Sequence, residues 1–277
     1  MRARTIPAEA LRWQRSEIDF SSIDPSRVDR DEAMYYLVIG ASFIENAADL
    51  YTGNLVSFYH DDAALSAWLE SQWQWQELQH GEALRTYVEH AWPDFEWEGA
   101  YEDFLADYSK LCVVENFKPG ATEELAARCV VETGTASLYR MLHAASGEPV
   151  LRTLTQHIYT DEVLHYKMFH RYQRRYREAD GTTRRRVAGA LLARLRETRN
   201  EDCYLAFKHI WRWTHPGQTF RDADYLAIGP KVRALALTYW PYGLTANMLL
   251  SPLDLPTATK PLARRALEGV MRVVMFR

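Results

Sequence analysis

The sequence predicts an all-α protein with a four-helix bundle at its core and additional C-terminal helices. Proline, which breaks helices, is absent from three long windows, 26–92, 120–148 and 150–215. No alternating strand pattern persists anywhere in the 277 residues. We therefore expect a single domain over 1–277, with the bundle at about 31–180 and accessory helices at about 181–277.

The first window predicts two long helices, which we place at about Asp31 to Tyr59 and Asp62 to Ala91. Asp61 or Asp62 can cap the second of them, because an aspartate accepts hydrogen bonds from the free N–H groups of a first turn. A short helix from about Ala100 to Glu115 then leads to the other half of the bundle.

The second and third windows predict the remaining bundle helices. Thr122 opens the third helix, with Glu123 and Glu124 in its first turn. Pro149 suits the first turn of a fourth helix that runs to about Ala179 and ends at Asp180-Gly181.

Beyond the bundle, a further helix is expected from Thr182 to Thr214, followed by shorter helices joined by proline turns. The last of them, near Leu262 to Phe276, mixes arginine with apolar residues. It could lie on a membrane surface, close over a substrate channel, or pack against the bundle or a twin subunit.

Composition excludes several classes of protein. The net charge of −4 does not favour nucleic acid or an anionic membrane as a partner. Three widely spaced cysteines indicate buried, reduced thiols rather than a disulfide framework or a zinc ribbon. No signal peptide or membrane-spanning run is evident, since the run 33–44 is too short and the run 234–253 is interrupted. A soluble cytoplasmic protein is expected.

A repeated arrangement of glutamate and histidine indicates a metal site. A lone glutamate precedes a Glu-x-x-His step by about 30 residues, and this order occurs twice. Residues three apart on a helix are neighbours, so each step can offer one oxygen and one nitrogen to a single ion. Two divalent cations would cancel the four buried negative charges. The candidate ligands are Glu45, Glu77, His80, Glu132, Glu162 and His165.

The ligand types favour two iron ions, although manganese or a mixed manganese and iron pair also suits them, and affinity alone does not exclude zinc. Two Glu-x-x-His matches are close to what chance gives at this composition, and the alternative is a set of solvated helix faces. Specificity comes from the order, the gaps and the mid-helix positions of the four glutamates.

At these residues the chain resembles the soluble acyl-acyl-carrier-protein desaturases of the ferritin-like di-iron superfamily. Glu77-Leu78-Gln79-His80-Gly81 is similar to that family's E-N-R-H-G, and residues 161–165 are similar to its D-E-K-R-H. Residues 44–51 resemble its E-E-A-L-P-T-Y, and residues 132–135 its E-R-A-T. The resemblance spans about 34–175. It departs at Gln76, where the family has an acid, and shows no match after about Arg177.

The resemblance implies a ferritin-like bundle that binds two irons and activates O₂ to desaturate or hydroxylate an acyl or other apolar substrate. Thr135 would be the hydroxyl beside the oxygen-binding face, unless it only bonds its own helix. The family also implies an acidic carrier protein, a ferredoxin-type electron donor and a homodimer. Iron storage or scavenging, a peroxidase and an amine N-oxygenase are the alternatives, because relatives share the ligand set.

Several neighbours of the ligands have a second interpretation. Tyr139, Tyr159 and Tyr166 could carry electrons, but core packing is the simpler role. Asp161 could orient a ligand histidine or be an ordinary exposed acid. His157 is turned away from the ligand face, so a third histidine ligand is not expected. Eleven basic residues between Lys167 and Arg199 form a surface that could bind an acidic partner or be simply solvated.

Overall fold

Helices joined by short loops make up the protein, as a computed structural model describes it over residues 6–28, 31–200 and 202–274. No β-strand occurs within these ranges, so the predicted all-α class is confirmed. Residues 6–28 form short 3₁₀ turns. The helices are α1 (Glu32–Asn46), α2 (Ala48–Phe58), α3 (Ala63–Trp68), α4 (Gln74–Ala91), α5 (Trp97–Tyr108), α6 (Ala121–Ala145), α7 (Pro149–Asp180), α8 (Arg184–Asn200), α9 (Asp202–Thr214), α10 (Asp222–Tyr239), α11 (Tyr242–Leu250) and α12 (Lys260–Val274).

The first predicted helix is broken at Ala47, where α1 ends and α2 begins. The backbone carbonyl of Asn46 accepts a hydrogen bond from Tyr101 Oη (2.8 Å). The N–H of Leu50, which a continuous helix would direct to that carbonyl, bonds the carbonyl of Ala47 instead (3.0 Å). Glu45 therefore lies at the end of α1, and the prediction of a mid-helix position was wrong.

The second predicted helix begins as expected, because the Asp62 side chain accepts from the N–H of Leu65 (3.1 Å). A π-helical turn at Leu69–Trp73 then separates α3 from α4. A π turn adds one residue to a helical turn and so changes which side chains face the core. Glu77 falls in the first turn of α4, directly after this change of register.

The helices α6 and α7 pack along each other and are joined by only three residues, 146–148. Helix α6 begins at Ala121, so Thr122 lies inside the helix and does not cap it. The Thr122 hydroxyl donates to Asp180 Oδ2 instead (2.8 Å). The start of α7 at Pro149 and its end at Gly181 match the prediction. Gly181 has φ 67°, a left-handed conformation that glycine adopts without strain.

Elsewhere in the chain, the structure shortens or divides the expected helices. Helix α5 ends at Tyr108 rather than Glu115. The helix expected over 182–214 is two helices, α8 and α9, and residue 201 between them lies outside the described ranges. The last helix, α12, is described to Val274, so Phe276 of the predicted span also lies outside.

The C-terminal helices cover the pairs that carry the candidate ligands. Helix α9 packs on α1 and α5, while α8, α10 and α11 pack on α6, and α12 packs on α11. Met271 of α12 is buried against this layer, so the predicted packing role accounts for one of its faces. Leu262 and Val270 of the same helix are exposed.

Two general expectations can be compared with the described residues. None of the described helices has both the length and the apolar character that crossing a membrane requires. The three cysteines are all free, but Cys203 is exposed, so the prediction of buried thiols was wrong for that residue.

Gly81 permits the close approach of α4 to α1 beside the candidate ligands. A Cβ atom at this position would lie 2.6 Å from the Asn46 backbone nitrogen and 2.7 Å from its side chain. We expect Gly81→Ala to lower the free energy of unfolding by about 1–3 kcal/mol, because the helices must move apart. Urea denaturation measures this.

Gly134→Ala is the matched control, because nothing lies within 4 Å of the point in α6 that a Cβ atom at this residue would occupy. Alanine is the better helix former, so this change should raise the free energy of unfolding by about 0.5–1 kcal/mol. Equal effects of the two substitutions would contradict a tight contact at Gly81.

Candidate metal centre

The structure brings the six sequence-predicted ligand side chains together between the pairs α1 with α4 and α6 with α7. Their oxygen and nitrogen atoms form two groups, each with atoms within 4.8 Å of one another. One group is Glu45, Glu77, His80 and Glu162, and the other is Glu77, Glu132, Glu162 and His165. Glu77 and Glu162 belong to both groups, so these two carboxylates could each contact two ions.

All six side chains are buried, and none of the six residues is more than 5% exposed. Ionised carboxylates in such a space lose their hydration and repel one another. Among the described residues, the ion pairs of these glutamates are with His80 and His165 and not with arginine or lysine. Protons or bound cations would reduce this repulsion.

Several buried polar atoms of the two groups have no hydrogen-bond partner, which supports a cation site at this position. Nδ1 of His80 and Nδ1 of His165 have none, and neither do Glu132 Oε2 and Glu162 Oε1. His80 Nδ1 lies 3.1 Å from Glu162 Oε1, and His165 Nδ1 lies 2.9 Å from Glu77 Oε1. Lone pairs that face each other at these distances are stabilised when a cation binds between them. The residues present fit a site for two divalent ions.

The outer nitrogen of each histidine has a different partner. His80 Nε2 lies 3.2 Å from Asp161 Oδ2, and His165 Nε2 lies 2.7 Å from Gln76 Oε1. Both partners are oxygen acceptors, so with a cation bound each Nε2 would carry the proton and each Nδ1 lone pair would face the cluster. The prediction that Asp161 orients a histidine is confirmed. Gln76 does the same for His165 with a neutral amide.

The N-terminal turns fix both outer partners. Gln76 Nε2 donates to the Ala10 carbonyl (2.7 Å), which sets the amide so that its oxygen faces His165. Trp13 Nε1 donates to Asp161 Oδ2 (2.8 Å), and Arg12 Nε lies 3.2 Å from Asp161 Oδ1. The indole of Trp13 also stacks on His80 with an interplanar angle of 8°. Sequence reasoning missed these contacts, because residues 10–13 match no ligand motif.

Two hydroxyl groups bond the cluster from α6. Tyr139 Oη donates to Glu45 Oε1 and Thr135 Oγ1 donates to Glu162 Oε2, each at 2.5 Å. Burial raises the pKa of Tyr139 well above its usual value, so the phenol keeps its proton and remains a donor. Tyr139 is thus a core residue, as predicted, that also holds a candidate ligand.

The other residues near the motifs lie outside both groups. Tyr166 donates to the Met248 carbonyl (2.6 Å) and is buried. Tyr159 is partly buried, with Arg140 over its ring. His157 stacks on Trp13 at 5.0 Å and is not in either group, as expected.

Titration of the cluster follows from its burial. Burial, and then the charges of Glu77 and Glu162, raise the pKa of Glu45 well above its usual value. The pKa of Glu132 shifts in the same direction for the same reasons. Burial opposes the charged form of His80, but the neighbouring carboxylates of Asp161, Glu162 and Glu77 outweigh it and raise its pKa. The metal-free cluster therefore retains protons that cations would displace.

A cavity of about 340 Å³ lies against the four glutamates and Thr135. Its middle is lined by apolar side chains from α1, α2, α6 and the segment after α5, including Ile44, Ala48, Leu111 and Val131. Its outer end is charged or polar, with Asn116, Arg128, Arg194, Glu197 and Asp202. Asn116 is exposed, so the cavity reaches solvent at that end.

Comparison of this chain with family models, with curated proteins and with solved structures found no match. The resemblance to the acyl-carrier-protein desaturases is therefore an interpretation of the motifs alone. Any function assigned to this chain depends on the chemistry of the site itself.

We expect Asp161→Leu and Gln76→Leu each to weaken one of two metal-binding events. Each change removes the acceptor that orients one histidine, and losses of this kind cost about 10- to 100-fold in metal affinity. Calorimetric titration of the metal-free protein with Mn²⁺ measures both events. Thr160→Leu is the control, since Thr160 is exposed next to Asp161. Two unchanged affinities in both variants would contradict this role.

The metal-free protein should lose stability as pH rises from about 5 to 8. Glu45, Glu132 and His80 have raised pKa values in the folded state, so their contribution is full at low pH and is lost as pH rises through those values. Glu77 and Asp161 have lowered pKa values and act in the opposite direction, but only below about pH 4.5.

Urea denaturation at several pH values, with chelator present, measures this slope. With Mn²⁺ in place of chelator the slope should reverse, because the cations replace the protons. A metal-free protein whose stability increases steadily from pH 5 to 8 would show that the cluster does not hold these protons.

Proposed function

We propose that this chain is an O₂-dependent oxidoreductase with a ferritin-like bundle that binds two iron ions. The observation that carries the proposal is the buried set of four glutamates and two histidines, with orphaned atoms facing inward beside a cavity. A site for storage or structure alone has no need of that cavity. Perturbed carboxylates next to a cavity of this kind are typical of active sites.

The donor set supports iron, and also admits manganese. Carboxylate oxygen and imidazole nitrogen without thiolate suit both metals. Cys129 lies one turn before Glu132, but it belongs to neither group of candidate ligands. Burial also raises the pKa of its thiol well above the usual value, which keeps it protonated. A pair of ferrous ions supplies two electrons for the reduction of O₂ when it is bound.

The chain's own residues position the ligands and exclude water. Asp161 and Gln76 fix the histidine rings, and Tyr139 fixes Glu45. Thr135 lines the cavity and donates to Glu162, so its hydroxyl lies where a proton could pass between that carboxylate and the cavity. The apolar middle of the cavity favours an apolar substrate and keeps bulk water from the carboxylates.

The overall reaction requires a reductant from outside the chain. In a desaturation, two electrons and two protons come from the substrate, two more electrons come from the donor, two more protons come from solvent, and O₂ leaves as two waters. In a hydroxylation, one oxygen atom enters the product and the other leaves as water. A ferredoxin-type donor and an acidic carrier protein, both implied by the resemblance, are the partners that we propose.

The basic stretch from Lys167 to Arg199 gives partial support to those partners. Arg175 pairs with Asp62, Arg186 lies 2.6 Å from Glu123, and Arg184 donates to two backbone carbonyls. These three side chains therefore already form contacts within the chain, which leaves them less available to an acidic partner. Arg174 is exposed, and the side chain of Arg199 lies outside the described residues.

The test combines metal content with turnover. We expect the protein to bind two irons per chain and, with a reductant, to consume O₂ and oxidise an apolar substrate from a panel of free and carrier-linked acids, alcohols and amines. Glu132→Ala should abolish both properties, because it removes a candidate ligand from the cluster. Elemental analysis and product detection by mass spectrometry measure them.

Glu178→Ala is the matched control, since that glutamate is exposed on α7. Full iron occupancy and turnover in Glu132→Ala would reject the site. Uptake of many irons per chain into a hollow cage would favour iron storage instead.

A further inference from the structure

One wall of the cavity is formed by successive turns of α6. Thr135, Glu132, Val131 and Arg128 all line it. At 1.5 Å of rise per residue, Arg128 is about 6 Å from Glu132 and about 10 Å from Thr135 along the helix axis. The wall therefore runs from the candidate metal ligands, past an apolar side chain, to a guanidinium group.

Arg128 is almost completely buried, and its side chain is only 6% exposed. Its Nε donates to Glu124 Oε1 (2.9 Å), and its guanidinium carbon lies 5.6 Å from the centre of the Phe117 ring. Among the described residues, its two terminal nitrogens donate no hydrogen bond. A buried guanidinium has five N–H donors, and this one uses a single donor on the protein.

The carboxylate of Glu124 does not belong to Arg128 alone. It also accepts from the Lys118 backbone N–H (2.8 Å) and lies 3.7 Å from Arg194 Nη2. Arg194 Nε also lies 3.5 Å from Glu197 Oε2, so Arg128 shares Glu124 with a guanidinium group that has a second carboxylate partner. Nearer the rim, Lys118 and Glu197 neutralise each other across 2.5 Å, and Asp202 also lines this end.

We infer that Arg128 binds the carboxylate group of the substrate, which is a small organic acid with an apolar chain. A carboxylate matches the planar pair of terminal nitrogens that Arg128 presents to the cavity. The apolar chain then extends along Ile44 and Val131 towards Glu132 and Thr135. This inference depends on the proposed function and names its substrate class.

The experiment uses the full chain loaded with Mn²⁺, so that binding is measured without turnover. Octanoate is titrated by calorimetry, and 1-octanol and methyl octanoate serve as uncharged analogues of similar length. We expect octanoate to bind at least about tenfold more tightly than either analogue, because a charge-assisted pair with a buried arginine is lost in both.

Variants of Arg128 locate the contact. Arg128→Met should weaken octanoate binding at least about tenfold and remove the preference over octanol, while Arg128→Lys should keep part of it. Arg140→Met is the control, because Arg140 is exposed on the same helix. If Arg128→Met does not fold, the comparison of octanoate with its uncharged analogues in the unaltered protein still tests whether the cavity prefers a carboxylate.

Equal affinity for octanoate and octanol, or unchanged octanoate binding in a folded Arg128→Met, would overturn the inference. Metal content is measured first in every sample. Two bound ions without acid binding would refute the role of Arg128 and leave the proposed function intact. Failure to bind two ions would refute the proposed function itself.

Discussion

Repulsion among four carboxylates in one buried space constrains the rest of this structure. Glu45, Glu77, Glu132 and Glu162 are each at most 5% exposed and share two overlapping groups. Two unit charges 4 Å apart repel by about 4 kcal/mol at an effective dielectric constant of about 20. Net stabilities of domains are only about 5–15 kcal/mol, so four such charges cannot remain uncompensated. The raised pKa values of Glu45 and Glu132 favour protons on these carboxylates, and under the proposed function bound cations would replace them.

The cluster has two different sides. On the outer side, neighbouring residues hold the histidine rings in place, and on the inner side there is a cavity. On the outer side, Asp161 and Gln76 hold the histidines, and residues 10–13 hold both partners. On the inner side, the glutamates face a cavity with an apolar middle. The same helix, α6, contributes Glu132 to the cluster and Arg128 to the cavity wall. The spacing of Glu132 and Arg128 along α6 therefore sets how far the candidate metal ligands lie from the residue that we propose to bind the substrate carboxylate.

Four of the six candidate ligands were predictable because their signal is local, since a glutamate and a histidine three residues apart share a helix face. The helix breaks were not, since the end of α1 depends on Tyr101 taking the Asn46 carbonyl, a contact between residues far apart in sequence. The π turn at Leu69–Trp73 follows no breaker residue. Gln76 was visible only as a departure from a motif, and Trp13 and Arg128 had no motif at all. Their roles arise from tertiary packing, which periodicity does not encode.

The contact between Trp13 and Asp161 joins residues 148 positions apart in the chain. Contacts with so large a sequence separation form late, because closing a long loop costs entropy before any packing repays it. During synthesis the first turns emerge well before α7 exists to receive them. The rings of His80 and His165 thus gain their final orientation only when the beginning of the chain docks onto helices made much later.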